Sequence, residues 1–366
     1  MTQVLSPPNA VLRELLRRAD PVASVYLGLR PPYATLDAAE DLDLRRHALV
    51  TRLADEGADE PTRTAVTTCL ATAEPAPDEL AVFAADGRIL LAQAIPGSAL
   101  FDRAGYAAPA AAVPLLRWWQ RHPAHVIVVT DRTGADLVAV PRGAARGTAS
   151  VVIGPDDEIE RNAPGGWAQP RYQRRAVDSW RHNAAAVAAA TARAVREQAA
   201  GLLLVAGDVR AVQLLRDDLA PLLHQGLTLR HLPGGRAPDG SAANRAAAIT
   251  QAVADFAARQ TKAALAALAR HGGPRGTAVH GARATLTALG NGEVHTLFIA
   301  ERPGDDRLAW FGPESLCAPE PAAGTVPGHL VDVAVRAALL TDAQVCVVAP
   351  GAVPGDIAAL RRFPPD

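Results

Sequence analysis

Residues 125–140 read HVIVVTDRTGADLVAV, and this stretch decides the fold of the middle of the chain. Two runs rich in β-branched and apolar residues, 125–130 and 135–140, flank the turn sequence DRTG at residues 131–134. Runs of this length on either side of such a turn predict two neighbouring strands. The stretch therefore predicts the start of a sheet.

The segments around this pair alternate between strand and helix patterns. Strands are predicted at residues 151–153, 202–206 and 227–232, and helices from Pro170 to about residue 198 and at residues 209–223. Such alternation is typical of a mostly parallel sheet with helices packed on it. The middle of the chain is therefore predicted to be an α/β domain.

A glycine pair precedes the long helix, in the segment NAPGGWAQPRYQRRAVDSWRHN at residues 162–183. Gly165 and Gly166 lack a Cβ atom, so the backbone can adopt left-handed angles and approach another molecule closely. Pro164 and Pro170 restrict the backbone on either side, and Pro170 suits the first turn of a helix. The segment predicts a projecting glycine tip that leads directly into the helix.

Arginines cluster in the first turns of this helix. Arg171, Arg174 and Arg175 are spaced at i, i+3 and i+4, with Arg181 further along the same broad face. Positive charge at a helix N-terminus opposes the helix dipole, and like charges at this spacing repel. A polyanion would reverse the sign of both effects, so the cluster favours phosphate binding. A solvated arginine face, eased by Asp178, is the alternative.

The segment resembles the central loop of the archaeal and eukaryotic class 1 peptide chain release factors. That loop reads Gly-Gly-Gln, followed after three residues by Arg, an aromatic residue, any residue and Arg. Gly165 and Gly166 match the glycine pair, and Arg171, Tyr172 and Arg174 match the later positions. Trp167 stands where the family has its catalytic glutamine. The likeness is closer to the bacterial branch of this superfamily, including the actinobacterial relatives of the ribosome hibernation factor Balon.

This resemblance implies a ribosome-binding translation factor that acts in hibernation, as a stress response, or in rescue. It would occupy the A site and place the Gly-Gly-Trp loop near the peptidyl-transferase centre. Because an indole ring has one N–H donor and no acceptor, Trp167 cannot place a water as glutamine does, and we expect no peptide hydrolysis, catalytic residue, metal or cofactor. The residues expected to contact RNA are Gly165, Gly166, Trp167, Gln169, Arg171, Tyr172, Arg174, Arg175 and Arg181.

The partners that the resemblance implies are the ribosome, through rRNA and P-site tRNA, and a translational GTPase such as EF-Tu, through the C-terminal domain. Neither DNA nor a membrane is expected. Two alternatives belong to other classes of protein. One is an enzyme, a peptidyl-tRNA hydrolase or tRNA nuclease like the quality-control relatives of the release factors, and the other is an adaptor whose main partner is a protein.

The resemblance extends over most of the chain through the order of its segments. It implies a multidomain α/β and α+β protein, with an N-terminal α+β domain (1–122), a ribonuclease H-like central α/β domain (123–260) and an L7Ae-like C-terminal α/β domain (261–366). The family's stop-codon motifs do not occur in the first domain. The other predicted elements are helices at 9–18, 41–53, 61–73, 241–270, 329–340 and 355–361, and strands at 22–29, 80–83, 89–93, 294–300 and 344–348.

Composition sets limits on the kind of protein. The 366 residues carry a net charge of −1 with a pI near 6.8, so any RNA contact must come from local patches of charge. The three cysteines, Cys69, Cys317 and Cys346, are too far apart for a disulfide framework or a metal motif. There is no apolar run of membrane-spanning length and no signal sequence. A reducing cytoplasm is the expected location.

Other residues that could suggest chemistry have simpler explanations. Asp131, Asp136 and Asp208 could be imagined as a metal cluster, but turn and helix-cap roles explain them better. Trp118 and Trp119 are expected to be buried at a domain boundary rather than to stack on a nucleotide. The ten histidines form no cluster in the sequence.

Overall fold

The structure is a computed structural model, which describes residues 10–29, 38–72, 79–95, 102–144, 146–153, 169–236, 242–273, 276–300, 302 and 305–364. For residues 10, 38, 169–179 and 242 it describes the backbone alone. The chain forms two compact units: Arg121–Gln260 is one, and Val4–Gln120 combines with Thr261–Asp366 in the other. The segments predicted as first and third domains thus lie in the same unit. Among the helices of these ranges, none is long and apolar enough to cross a bilayer.

The unit Arg121–Gln260 contains a five-stranded sheet. Its strands are β5 (His125–Thr130), β6 (Gly134–Val140), β7 (Thr148–Ile153), β8 (Leu202–Gly207) and β9 (Thr228–His231), in the spatial order β7-β6-β5-β8-β9. Strand β6 pairs antiparallel with β5 and β7, whereas β5, β8 and β9 pair in parallel. The predicted mostly parallel sheet is therefore mixed, because a tight turn can join only antiparallel strands. A first-to-fifth strand order of 3-2-1-4-5 with the second strand reversed is the arrangement of a ribonuclease H-like fold.

Helices cover both faces of this sheet. They are α5 (Gln169–Glu197), α6 (Val209–Asp218), α7 (Ala220–His224) and α8 (Ala242–Arg270). On one face, Val187 and Val195 of α5 pack with buried residues of the sheet, and on the other Phe256 of α8 does so. The single helix predicted at 209–223 is interrupted at Leu219, because Pro221 lacks the N–H that a continuous helix requires.

The N-terminal part of the second unit is α+β, as predicted. It comprises α1 (Ala10–Arg17), β1 (Val22–Gly28), α2 (Ala38–Asp55), α3 (Glu60–Ala71), β2 (Glu79–Ala85), β3 (Arg88–Ala94), β4 (Arg103–Ala107) and α4 (Val113–Arg121). The strands form an antiparallel sheet in the order β3-β2-β1-β4. Asp86 and Gly87 both have positive φ angles, as a two-residue hairpin turn requires. Trp118 and Trp119 are buried in the core, which confirms a packing role.

The C-terminal part of this unit is α/β. It comprises β10 (Ala278–His280), α9 (Ala282–Gly290), β11 (Val294–Ile299), β12 (Leu308–Phe311), β13 (Val326–His329), α10 (Leu330–Leu340), β14 (Gln344–Val347) and β15 (Ile357–Arg361). Strands β10, β15, β11 and β14 form one sheet in that order, and β12 pairs with β13. The helix predicted at 355–361 is wrong, because β15 pairs with both β11 and β10. With these parts, the predicted multidomain α/β and α+β fold class is confirmed.

The three cysteines differ in burial, and this difference should be visible in their reactivity. Burial raises the pKa of Cys317 and Cys346 to about 12, whereas Cys69 is only partly buried, with its pKa raised by the same cause. Because the thiolate is the reactive form, we expect iodoacetamide at mildly alkaline pH to label Cys69 in the native protein, faster as the pH rises, and to leave the other two unlabelled. Peptide mass spectrometry measures this. All three should be labelled after denaturation, and native labelling at equal rates would contradict the fold.

Candidate nucleic-acid interface

The predicted RNA-contacting residues fall at the start of α5 and just before it. Gly165, Gly166 and Trp167 lie outside the residues that the structure describes. Gln169, Arg171, Tyr172, Arg174 and Arg175 all lie in the first turns of α5, and Arg181 follows in the same helix with an exposed side chain. The helix runs from Gln169 to Glu197, so the helix predicted from Pro170 to about residue 198 is confirmed. The contact roles of these residues stay predictions.

Helix geometry groups three of the arginine positions. Positions 171, 174 and 175 are spaced by three and four residues within a continuous helix, which puts them on one side of α5. The first turn of α5 contains no acidic residue. The positive end of the helix dipole lies at the same end as these arginines. This end of α5 therefore concentrates positive potential, in a chain whose net charge is close to zero.

The part of α5 from Asn183 to Val195 packs on the sheet. Its buried residues form a stripe at helical spacing, consisting of Asn183, Ala184, Val187, Ala188, Thr191 and Val195. Arg181 and His182, just before the stripe, are exposed. At 1.5 Å per residue, the helix start at Gln169 lies about 21 Å along the axis from Asn183. The positions of Arg171, Arg174 and Arg175 therefore lie about 12–18 Å along the axis from Asn183.

The turn between β5 and β6 contacts α5 through Arg132. Asn183 is almost fully buried, and its Nδ2 donates a hydrogen bond to the backbone oxygen of Arg132 at 3.0 Å. The Arg132 guanidinium lies over the ring of Trp180, 4.5 Å from its centroid. Arg132 Nη2 also lies 3.4 Å from Asp208 Oδ2. Sequence reasoning missed these contacts, because they join segments that are far apart in the chain.

Asp131 and Asp208 have the local roles that the sequence predicted. Asp131 Oδ1 accepts hydrogen bonds from the N–H and hydroxyl of Thr133 and from the N–H of Gly134, which closes the turn. Burial raises the pKa of Asp131, but the Thr133 hydrogen bonds and the charge of Arg236 outweigh this effect, so the pKa is lowered overall. Asp208 caps α6 by accepting from the N–H groups of Arg210 and Ala211. The turn role of Asp131 and the cap role of Asp208 are confirmed. For Asp136 the prediction is wrong, because this residue lies within strand β6, opposite Val129.

Arg236 gives Asp136 a partner that the sequence did not reveal. Its Nη1 lies 3.2 Å from Asp131 Oδ1, and its Nη2 lies 3.1 Å from Asp136 Oδ1. The hydrogen bond with Asp136, ahead of the charge of Asp131, raises the pKa of the guanidinium despite partial desolvation. Arg236 thus bridges the two carboxylates and offsets one of their two negative charges. Within the part of the chain that the structure describes, no group of three His, Cys, Asp or Glu side chains could hold a metal ion.

Comparison with known proteins finds a family that is similar to the central part of the chain. Residues 124–274 match the model of the family described as bacterial archaeo-eukaryotic release factor family 2. The central unit is similar to a release factor family. The matched residues include the Gly-Gly-Trp segment and all of α5, so the resemblance and the family model agree on the same segment. Among curated proteins, no sequence matches this chain.

Solved structures of translation factors are similar over most of the chain. The archaeal termination factor aRF1 is 17% identical with a TM-score of 0.26, and the match covers 96% of each chain. An archaeal Pelota, solved as a ribosome-bound model with ABCE1, is 11% identical with a TM-score of 0.41, covering 97% of this chain and 94% of that one. Dom34 of S. cerevisiae, described as interacting with Hbs1, is 8% identical with a TM-score of 0.38, covering 74% and 76%.

Proposed function

We propose that this protein is a ribosome-binding translation factor of the release factor type. It occupies the A site, places the Gly-Gly-Trp loop near the peptidyl-transferase centre and does not hydrolyse the peptidyl-tRNA ester. The observation that carries the proposal is the family match over residues 124–274, which includes the glycine pair and the Arg-aromatic-x-Arg pattern at 171–174. Its role is the hibernation or rescue of idle ribosomes, and we place it with the actinobacterial relatives of Balon.

Electrostatics support RNA as the ligand of α5. Three arginine positions on one side of a helix N-terminus destabilise the isolated protein through the helix dipole and through mutual repulsion. Phosphate groups reverse both effects, since they interact favourably with the helix dipole and neutralise the arginines. The start of α5 lies about 21 Å along the helix axis from the buried Asn183, so the arginine positions are well separated from this buried contact. Ribosomal RNA around the A site offers phosphates to these positions.

The proposal extends to the partners and the location. The phosphate ligands are those of rRNA and of P-site tRNA. A translational GTPase such as EF-Tu docks on the C-terminal segment, residues 261–366, by analogy with the third domain of release factors. The protein acts in the cytoplasm, where ribosomes are found, and uses neither a cofactor nor a metal.

A peptide-release assay tests both parts of the proposal. Purified protein is added to ribosomes carrying labelled peptidyl-tRNA, and bound protein and released peptide are measured in the same reaction. We expect the protein to co-sediment with the ribosomes and to release no peptide above background, because the indole of Trp167 offers no acceptor to place a water. A release factor with its Gly-Gly-Gln loop serves as the positive control.

Two outcomes would contradict the proposal. If the protein did not co-sediment with ribosomes at low salt, the proposed ribosome binding would be wrong. Substantial peptide release by the wild-type protein, lost in Gln169→Ala, would show that Gln169 replaces the missing glutamine and would establish the hydrolase alternative.

A further inference from the structure

Trp180 continues the stripe of α5 residues that is buried against the sheet. The buried stripe of α5 repeats at Ala184, Val187 and Thr191, and the same helical spacing extended backwards by four residues reaches Trp180. Trp180 therefore lies on the sheet-facing side of the helix, one turn before Ala184. Its ring is partly buried, and the guanidinium of Arg132 covers it at 4.5 Å.

Arg132 reaches this ring from the β5–β6 turn, which places it at the carboxyl end of β5. Its backbone oxygen accepts the 3.0 Å hydrogen bond from Asn183, the first buried residue of the α5 stripe. The side chain and the main chain of one residue thus contact two successive turns of α5. A planar guanidinium over an indole face is favourable and directional, which fixes the rotation of the helix as well as its distance.

The other side of Arg132 faces the start of α6. Its Nη2 lies 3.4 Å from Asp208 Oδ2, while Oδ1 of the same carboxylate caps α6 through two backbone N–H groups. Asp208 is itself held, because its N–H donates to Thr130 at 3.0 Å. Gly207 before it has a φ of 131°, and a Cβ there would lie 1.8 Å from the Thr130 oxygen. The Asp208 carboxylate that Arg132 contacts is therefore held at the point where the paired parallel strands β5 and β8 end.

We propose that Arg132 is a positioning residue for the RNA-binding end of α5. It joins α5, the β5–β6 turn and the α6 cap at one point, and so fixes the orientation of α5, whose N-terminal part contains the predicted RNA contacts. It acts through Trp180 and does not itself contact RNA. This inference rests on the proposed function, since the positioned residues are the predicted RNA contacts.

Amide hydrogen exchange of the free protein tests the positioning without any ribosome. In Arg132→Ala, which keeps the backbone acceptor of Asn183, we expect exchange in residues 169–182 to rise roughly threefold to tenfold, the factor expected for losing one cation–π contact. Exchange in β5 and β8 should stay unchanged. Arg216→Ala removes the same charge from the exposed end of α6 and is the matched control. Unchanged exchange in residues 169–182 of Arg132→Ala would overturn the proposal.

Ribosome affinity and its salt dependence then separate positioning from direct contact. We expect Arg132→Ala to bind roughly threefold to tenfold more weakly with the salt slope of the wild type, whereas loss of a phosphate contact would reduce the slope by about one. A reduced slope would therefore overturn the proposal. Trp180→Ala should match Arg132→Ala, the double variant should lose no more than either alone, and Trp180→Phe should restore most of the affinity. Additive losses would show that the two residues act separately.

Hydrogen exchange and ribosome affinity together distinguish a failure of the positioning role from a failure of the proposed function. If the wild-type protein does not bind ribosomes, the proposed function fails, while hydrogen exchange still decides whether Arg132 holds α5. If the wild-type protein binds and the exchange of residues 169–182 is the same in Arg132→Ala, the positioning role alone fails.

Discussion

Replacing Arg171, Arg174 and Arg175 together with glutamate should abolish most of the ribosome affinity at low salt and flatten its salt dependence. Each lost phosphate contact removes about 0.9 from the slope of log affinity against log salt, so three contacts remove almost three. Between about 50 and about 200 mM salt, the ratio of wild-type to variant affinity should therefore shrink by roughly 40-fold. Co-sedimentation with ribosomes at a series of salt concentrations measures the slope directly.

The same variant should fold at least as well as the wild type. Acidic residues in the first turns of a helix interact favourably with the helix dipole, whereas the natural arginines oppose it. The melting temperature should therefore stay level or rise while the binding falls. A variant that is at least as stable as the wild type but binds more weakly would show that these arginines contribute to ligand binding and not to folding.

A matched reversal on the same unit provides the control. Arg193 and Arg196 lie near the end of α5 and Arg216 lies near the end of α6, and all three are exposed. Reversing these three changes the net charge by the same amount, and we expect the affinity to fall much less. If the variant with all three arginines replaced by glutamate bound ribosomes as well as the wild type at every salt concentration, the arginine cluster would be a solvated surface with no role in binding.

The second large effect is expected at Trp167. Stacking of an aromatic ring on an unpaired base contributes about 1–3 kcal/mol per base, so Trp167→Ala should weaken ribosome binding by roughly fivefold to 150-fold. Thermal stability should change little, because in this proposal the ring stacks on RNA and does not pack in the core of the protein. Ribosome affinity and melting temperature, measured on the same preparation, decide the matter.

A conservative replacement sharpens this test. Trp167→Phe retains an aromatic face and should recover much of the affinity that Trp167→Ala loses. A clear fall in melting temperature for Trp167→Ala with unchanged affinity would show instead that the tryptophan fastens the loop to its own domain. Trp167 would then no longer count as an RNA-binding residue.

The sequence by itself determined the elements whose signals are local. The β5–β6 pair follows from two β-branched runs around residues 131–134, and the β2–β3 hairpin follows from Asp86 and Gly87, whose turn needs positive φ angles. Helix α5 and its arginine spacing follow from the helical period alone. The turn role of Asp131 and the cap role of Asp208 involve hydrogen bonds to N–H groups within three residues. In each case the interacting residues are close in the chain, so the local sequence pattern is sufficient to predict the interaction.

Only the tertiary structure decided the features whose partners are distant in the chain. Residues 357–361 form a strand and not the predicted helix, because β11 and β10 offer backbone partners on both sides, and a short apolar run has no period strong enough to resist them. The first and last thirds of the chain share one core, since each supplies only part of the apolar surface. Arg132 meets Trp180 and Asp208, and Arg236 meets Asp131 and Asp136, across gaps of up to 105 residues. Sequence patterns report the interactions of near neighbours, and folding alone brings these side chains within a few ångströms of each other.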